Sequence, residues 1–323
     1  MNKERPVEIS ICIPVYKKVD FLKRLLESVK IQTFPDYEII ITDDTPDDSI
    51  ETLVKQFSFT QPVKYFKNSP ALGTPENWNE TVRRASGKWI KMMHNDDWFA
   101  SEHSLQRFYD CTEKNQDCSF FFSAFRNIIE GTGISQTVKC DIFDRLFLKM
   151  SPLHLFKKVY VGNPSCTLIR RDIESLYDRR FKFVVDFEYY IRCFRQLKKY
   201  MYLNEVLINV GFHDEQVTKY TFLVPEIQIP ENILLLEKLG TKILKNPFVY
   251  DYYWRLFRNL KIRDAEEIKK YYSGAISPLL VKMIRFQSRI APAVLKKGLF
   301  SKLFMTVNYI VSFFAKFRVL YKH

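Results

Sequence analysis

Two pairs of adjacent carboxylates, Asp43-Asp44 and Asp96-Asp97, each follow a run of residues that reads as a β-strand. Alone, either pair would be read as a turn or the cap of a following helix. At the mouth of one sheet, however, two such pairs repel each other unless a cation or a donor-rich ligand joins them. An oxygen-rich site of this kind suits Mg²⁺ or Mn²⁺ bound together with a substrate diphosphate. The six cysteines are scattered, with no CxxC pair and no metal-ligand spacing, so reduced thiols in a cytosolic compartment are expected.

The elements that must position these carboxylates follow one another at short spacing. Residues 7–13 read as a buried strand stopped by Pro14, and Val19, Leu22, Leu25, Leu26 and Val29 fall on one helical face. A strand over 37–42 ends at Asp43-Asp44. A helix near 48–57, a strand near 63–66 and a helix near 75–86 follow, with Gly87 as a helix stop. A strand over 88–93 then ends at His94-Asn95-Asp96-Asp97. This alternation predicts an α/β domain with a largely parallel sheet, whose ligands bind at the carboxyl edge of the strands. From about 225 the pattern turns helical, punctuated by Pro225, Pro230, Pro247, Pro278 and Pro292. A catalytic domain over 1–222 and a helical, basic region over 223–323 are expected.

The run Ile11-Cys12-Ile13-Pro14-Val15-Tyr16, then Gln32-Thr33-Phe34, Glu38 to Asp44, Ala85 to Ile90 and His94 to Trp98, resembles glycosyltransferase family 2. The resemblance covers roughly residues 7–220 and implies a GT-A, Rossmann-like fold and inverting transfer from a nucleotide-sugar donor. It implies that Pro14, Val15 and Tyr16 wall the nucleotide pocket and that Asp44 accepts a hydrogen bond from the base ring N–H, with Asp43 structural. By the same resemblance Asn79 lines the donor site, Asp96 contacts the ribose and Asp97 ligates the metal. Two positions depart from the family: Lys17 stands where Asn is frequent, and His94 where the acidic motif usually begins with Asp. His94 is either a neutral metal or phosphate contact or a packed histidine. Val185 to Arg192 resembles the segment that carries the family's catalytic aspartate. Asp186 and Glu188 are both candidates, but two residues apart on a helix they cannot share a face, so only one points at an acceptor. The alignment favours Asp186, whose alternative role is to cap the helix. Arg192 would pair with a carboxylate or a phosphate. Gly211 to Thr218 resembles the terminal motif, in which His213 approaches the metal or diphosphate. Asn163-Pro164-Ser165 reads as an acceptor-side loop or a simple turn.

Net charge is +13, but Glu267 is the last acidic residue, and eleven Lys or Arg follow it. Residues 1–267 are therefore nearly balanced, which argues against nucleic acid as a partner. The stretch 268–323 also carries Phe300, Leu303, Phe304, Tyr309, Ile310, Phe313, Phe314 and Phe317. Helices lying on an anionic membrane surface explain both properties; packing onto the rest of the chain, or a homodimer, is the alternative. The apolar runs Ile9 to Val15 and Leu303 to Ala315 are too short for a signal or a span of roughly 20 residues. The expected location is therefore cytoplasmic, peripheral at the inner face of the membrane, with a saccharide or lipid-linked acceptor. A metal-dependent nucleotidyltransferase also places acidic pairs at strand ends, although it usually wants an early glycine-rich loop, and residues 14–20 contain no glycine. A non-enzymatic module using the basic tail is the third reading.

Overall fold

A computed structural model describes residues 7–173, 176–197, 199–214, 216 and 221–314. The chain divides into two units. One runs up to Leu146 and resumes over Val159–Gln216; the other joins Phe147–Lys158 to the chain from Val217 onward.

The first unit is built on β1 (Ile9–Val15), α1 (Val19–Lys30), β2 (Tyr37–Asp43), α2 (Ser49–Gln56), β3 (Val63–Lys67), α3 (Glu76–Arg84) and β4 (Trp89–Met92). It continues with β5 (Trp98–Phe99), α4 (Ser104–Lys114), β6 (Phe120–Ile129), β7 (Ser135–Val138), the start of α5 (Ile142–Met150, which passes into the second unit at Phe147), β8 (Thr167–Arg170), α6 (Val185–Gln196) and β9 (Met201–Phe212). The strands lie in the order β3-β2-β1-β4-β8-β6-β9-β5, with β7 on β6. Every residue of β1 and β2 is buried, as continuous apolar strands covered on both faces must be. The first four strands in that order are parallel, but β8 turns antiparallel to both β4 and β6. The sheet is thus mixed rather than largely parallel.

β1 does not stop at Pro14. Cys12 is the last residue of β1 to pair with β4, and its carbonyl accepts from Met93 N. Two residues on, Pro14 faces the same side after that ladder has ended, so its missing N–H removes no bond. Gly87 is not a helix stop either, since α3 ends at Arg84. It is glycine because a Cβ there would lie 2.6 Å from Ser10 N. Its own amide donates to Ser10 Oγ, and Glu38, buried on β2, accepts from Ser10 Oγ, Ser86 N and Lys64. Against the cost of burial, these bonds hold the Glu38 carboxyl down at about 2.

The second unit contains α7 (Pro225–Leu239), α8 (Pro247–Asn259), α9 (Ala265–Ile268), α10 (Pro278–Ser288), α11 (Pro292–Leu295) and α12 (Gly298–Phe314). Four of the five prolines open helices, where the missing N–H costs nothing; Pro230 instead lies inside α7. The expected boundary at 222 moves to 216, and 147–158 belongs with the helices. Aromatic packing accounts for that insertion. Phe156 packs on Tyr252 and Tyr253, and His154 on Phe147 and Phe248. Residues 315–323 of the basic tail, including Phe317, and Glu215, Val217 and Thr218 of the terminal motif lie outside the described residues.

Candidate active site

The carboxyl ends of β1, β2 and β4 bring the first group of predicted residues together. Pro14 and Val15 are buried in the last turn of β1, and Tyr16 just beyond is 56% exposed. Lys17 and Lys18 both take left-handed backbone angles, φ 58° and 61°. That turn is held by Lys17 N donating to Thr45 Oγ1 at 2.6 Å and Asn95 Nδ2 donating to Lys17 O. Asp43 is fully buried, accepting from Tyr65 Oη, Lys67 Nζ and Thr45 N. Asp44 collects Asn68 Nδ2 at 2.8 Å, Leu72 N at 2.9 Å and Gly73 N at 2.7 Å, which folds the loop after β3 onto the end of β2.

Asn79 is not part of this pocket. Its amide clamps Tyr177, donating to the carbonyl at 2.9 Å and accepting from the backbone N at 2.8 Å. Asn77 is the residue that reaches the strand ends, donating to Val15 O and accepting from Thr42 Oγ1 and Asn68 Nδ2. Two residues apart on a helix are about 200° apart around it, so the two asparagines serve opposite sides of α3.

The second acidic pair sits in a tight, largely buried turn. His94, Asp96 and Asp97 each offer a ligand atom, and these atoms lie within 4.8 Å of one another. His94 packs its ring on Trp78, and its Nε2 is buried with no hydrogen-bond partner among the described residues. Burial lowers the His94 pKa to about 4, with the Asp96 charge opposing and the Lys91 charge assisting, so the imidazole is neutral. Asp97 accepts from Asn163 Nδ2 at 2.7 Å and Gly211 N at 3.2 Å. Burial, reinforced by the neighbouring Asp96 charge, pushes its carboxyl upward. Asp96 moves the other way: against the cost of burial, His213 leads the groups that favour its charged form. His213 Nε2 lies 3.1 Å from Asp96 Oδ2. His213 therefore touches the acidic turn through Asp96, and the candidate ligand placed beside the carboxylates is His94. The 163–165 segment is not an open acceptor loop. It braces the turn, since Ser165 Oγ also accepts from His94 N at 2.9 Å.

Several supports carried no motif. Arg24 of α1 donates to Asp96 O at 3.1 Å and to Glu130 at 2.7 Å, and stacks on Trp98 at 3.6 Å. Lys91, fully buried in β4, bonds the Ser165 carbonyl, and burial lowers its pKa to about 7. At Gly211 a Cβ would lie 2.4 Å from Asp96 O. The one sequence signal available was a lysine inside an otherwise apolar strand, which must find a buried partner.

The α6 pair separates cleanly. Asp186 lies in the first turn, half-buried, with Oδ1 accepting from Phe187 N at 2.8 Å. Burial raises its carboxyl to about 6, opposed by hydrogen bonds from the Phe187 and Asp186 amides. Glu188 is fully buried and gives both oxygens to Arg192, at 3.0 and 3.1 Å. With both oxygens in an ion pair, Glu188 leaves the set of candidate bases, and Arg192 is its partner rather than a phosphate ligand.

A mixed sheet with acidic turns at the ends of its parallel strands defines a nucleotide-binding α/β enzyme class. Residues 10–176 match the family model for glycosyl transferase family 2. The chain belongs to that family and is a glycosyltransferase, which removes the nucleotidyltransferase and non-enzymatic readings. An uncharacterized glycosyltransferase of Methanocaldococcus jannaschii is 26% identical over 204 residues, 62% of this chain and 69% of the relative. A poly(ribitol-phosphate) beta-glucosyltransferase of Bacillus spizizenii is 34% identical over 116 residues, 34% of this chain but only 18% of that longer protein. Among solved structures, TarS 1-349 of S. aureus in complex with UDP-GlcNAc superposes with TM-score 0.57 at 13% identity, covering 94% of this chain and 91% of that one. The mannosyltransferase PcManGT of Pyrobaculum calidifontis, in complex with GDP-Man and Mn²⁺, gives TM-score 0.57 at 9% identity over 97% and 88%. At such identities the likeness speaks for the GT-A fold.

Proposed function

We propose that the chain is an inverting glycosyltransferase that moves a sugar from a nucleoside diphosphate donor, a UDP-sugar, to a hydroxyl of a saccharide or lipid-linked acceptor. The observation that carries the reading is the orphaned, neutral Nε2 of His94 beside Asp96 and Asp97. A buried polar atom without a partner is costly, and a neutral ring nitrogen next to two carboxylates fits a divalent cation, Mn²⁺ or Mg²⁺. His94, Asp96 and Asp97 would hold it, with His213 fixing the orientation of Asp96. When bound, the ion supplies Lewis-acid neutralisation of charge developing on the leaving diphosphate. The nucleotide sugars in the TarS and PcManGT structures support the donor class.

The residues of this chain divide the remaining work. An ionised carboxylate has about four acceptor positions, and Asp44 has filled three, leaving one for the base N–H. Tyr16, exposed just beyond β1, would stack its ring on the base. Asp96 faces the ribose. Asp186, ionised at neutral pH, takes the acceptor hydroxyl proton as that oxygen attacks the anomeric carbon and the nucleoside diphosphate leaves. A single displacement inverts the configuration and needs no enzyme nucleophile. The basic stretch 268–323 holds the enzyme on an anionic membrane surface, on the cytoplasmic side, where lipid-linked acceptors reside.

Calorimetric titration of UDP, with and without Mn²⁺, tests the site. Mn²⁺ is expected to tighten UDP binding to the parent, but not to His94→Ala or Asp97→Ala. Equal Mn²⁺ enhancement in parent and variants would refute the metal assignment, and retention of anomeric configuration in the product would refute the single displacement.

A further inference from the structure

α12 is amphipathic in the reverse of the usual sense. Its inward side carries polar anchors: Ser301 is bonded by Trp254 Nε1 and by Arg258, both at 3.0 Å. Asn308 accepts from Tyr250 Oη, which also lies 3.3 Å from Ser312 Oγ. Met305 is buried beside them, and the Tyr309 and Phe313 rings pack on Tyr250. Its outward side is apolar. Leu299 is 83% exposed, Leu303 58% and Ile310 51%, and Phe300, Val307 and Val311 are exposed with them. At about 100° per residue the outward six span one arc of the helix, and Ser301, Met305, Asn308 and Ser312 occupy the opposite one. The orientation is fixed, because turning the helix over would strip the buried polar groups of Trp254 and Tyr250 of their partners.

A row of six large apolar side chains is too much surface to leave in water. The charge around it specifies what covers it. Lys296 and Lys297 are exposed immediately before the helix, and no acidic residue follows Glu267 anywhere in the sequence. α10, in the same basic stretch, is different. It buries Leu280, Met283 and Ile284 completely, so it has no apolar face to offer. We infer that, among the described helices of the basic stretch, α12 is the membrane-inserting element, lying in the interface with Leu299, Leu303, Val307 and Ile310 among the acyl chains and Lys296 and Lys297 at anionic headgroups. This inference rests on the membrane reading above and narrows it from 268–323 to one face of one helix.

The test is co-sedimentation of the full chain with vesicles of equimolar phosphatidylcholine and phosphatidylglycerol. The parent is expected to bind. The double variant Leu303→Asp/Ile310→Asp, which alters only exposed side chains, is expected to lose at least about tenfold in partitioning at unchanged melting temperature. Lys296→Glu/Lys297→Glu should lose the salt-sensitive part. Leu303→Trp, which keeps the face apolar, should show a blue-shifted emission when vesicles are added. Equal binding by the parent and the Asp double variant, or no emission shift, overturns the α12 assignment and leaves the membrane reading standing. No binding by the parent overturns both. A parent dimer that the Asp double variant converts to monomer, without vesicle binding, would show instead that the face covers a second copy.

Discussion

Asp186→Asn removes one proton-accepting oxygen and changes almost nothing else, because the Asn side chain is nearly isosteric and can still accept from Phe187 N. General-base catalysis contributes about 10²–10⁴-fold, so kcat should fall at least ~100-fold, with donor affinity unchanged. The structure adds a pH signature. The active form of the base is the ionised one, and its carboxyl is raised from 3.8 to about 6. In the parent, log kcat/KM should therefore climb with unit slope below about pH 6 and flatten above it, and the variant should lose that inflection. Stability runs in the opposite direction. A carboxyl whose pKa is higher in the folded state than in the unfolded chain favours folding most below its unfolded pKa, and that contribution is lost as pH rises through about 6. At pH 8 the parent bears the cost of an ionised, half-buried carboxylate, worth at most roughly 3 kcal/mol at 1.36 kcal/mol per tenfold. Asn bears no such cost, so the variant should melt no lower than the parent at pH 8. A donor-transfer assay across pH 5 to pH 9 beside thermal melts separates the two effects. Near-parental turnover, or an inflection that survives in the variant, would refute Asp186 as the base.

Glu188→Gln should behave as a scaffold mutation: it leaves the Arg192 guanidinium without its counter-charge and should cost about 3 kcal/mol, read by thermal unfolding, with turnover per folded molecule within about threefold. Loss of turnover at parental stability would move the base to Glu188. Gly211→Ala places a methyl 2.4 Å from Asp96 O, so β9 or the acidic turn must shift; about 1–3 kcal/mol of destabilisation and loss of Mn²⁺-enhanced UDP binding are expected by calorimetry, and parental binding would show that Gly211 does not set the turn.

The strand ends and their carboxylates were legible because burial on both faces writes β1 and β2 as unbroken apolar runs, and because the motifs follow them directly. What those motifs touch was not. Asn77 and Asn79 sit two positions apart in a single motif, and only the rotation of α3 decides which meets Val15 and which meets Tyr177. His94 looked like a departure from an acidic pattern. Its significance is the absence of a partner at Nε2 among the described residues, a property of the folded turn and of the Trp78 ring beside it. Arg24 lies 72 residues from the carbonyl it holds, in a helix whose apolar spacing gives no hint of that contact. The insertion 147–158 reads as more of the α/β domain, because the aromatic residues that claim it begin nearly a hundred positions later.

One physical rule separates the carboxylates proposed to act in transfer from the structural ones. Asp43, Glu38 and Glu188 are all buried, and all have their oxygens taken by lysine, arginine, tyrosine, serine or backbone donors from neighbouring elements. Their charge is balanced inside the scaffold, and nothing in their surroundings asks for a further ligand. Asp97 has three neutral donors, from Ser165, Asn163 and Gly211, and a second carboxylate beside it, and burial together with that neighbouring charge moves its pKa upward. Among the described residues Asp186 is answered by amides of its own helix turn, and burial moves it upward too. A buried carboxylate left short of positive charge is a standing cost to the fold, and the cost is removed when a cation binds at Asp97 or a proton arrives at Asp186. Those two events are the ones that the proposed mechanism uses.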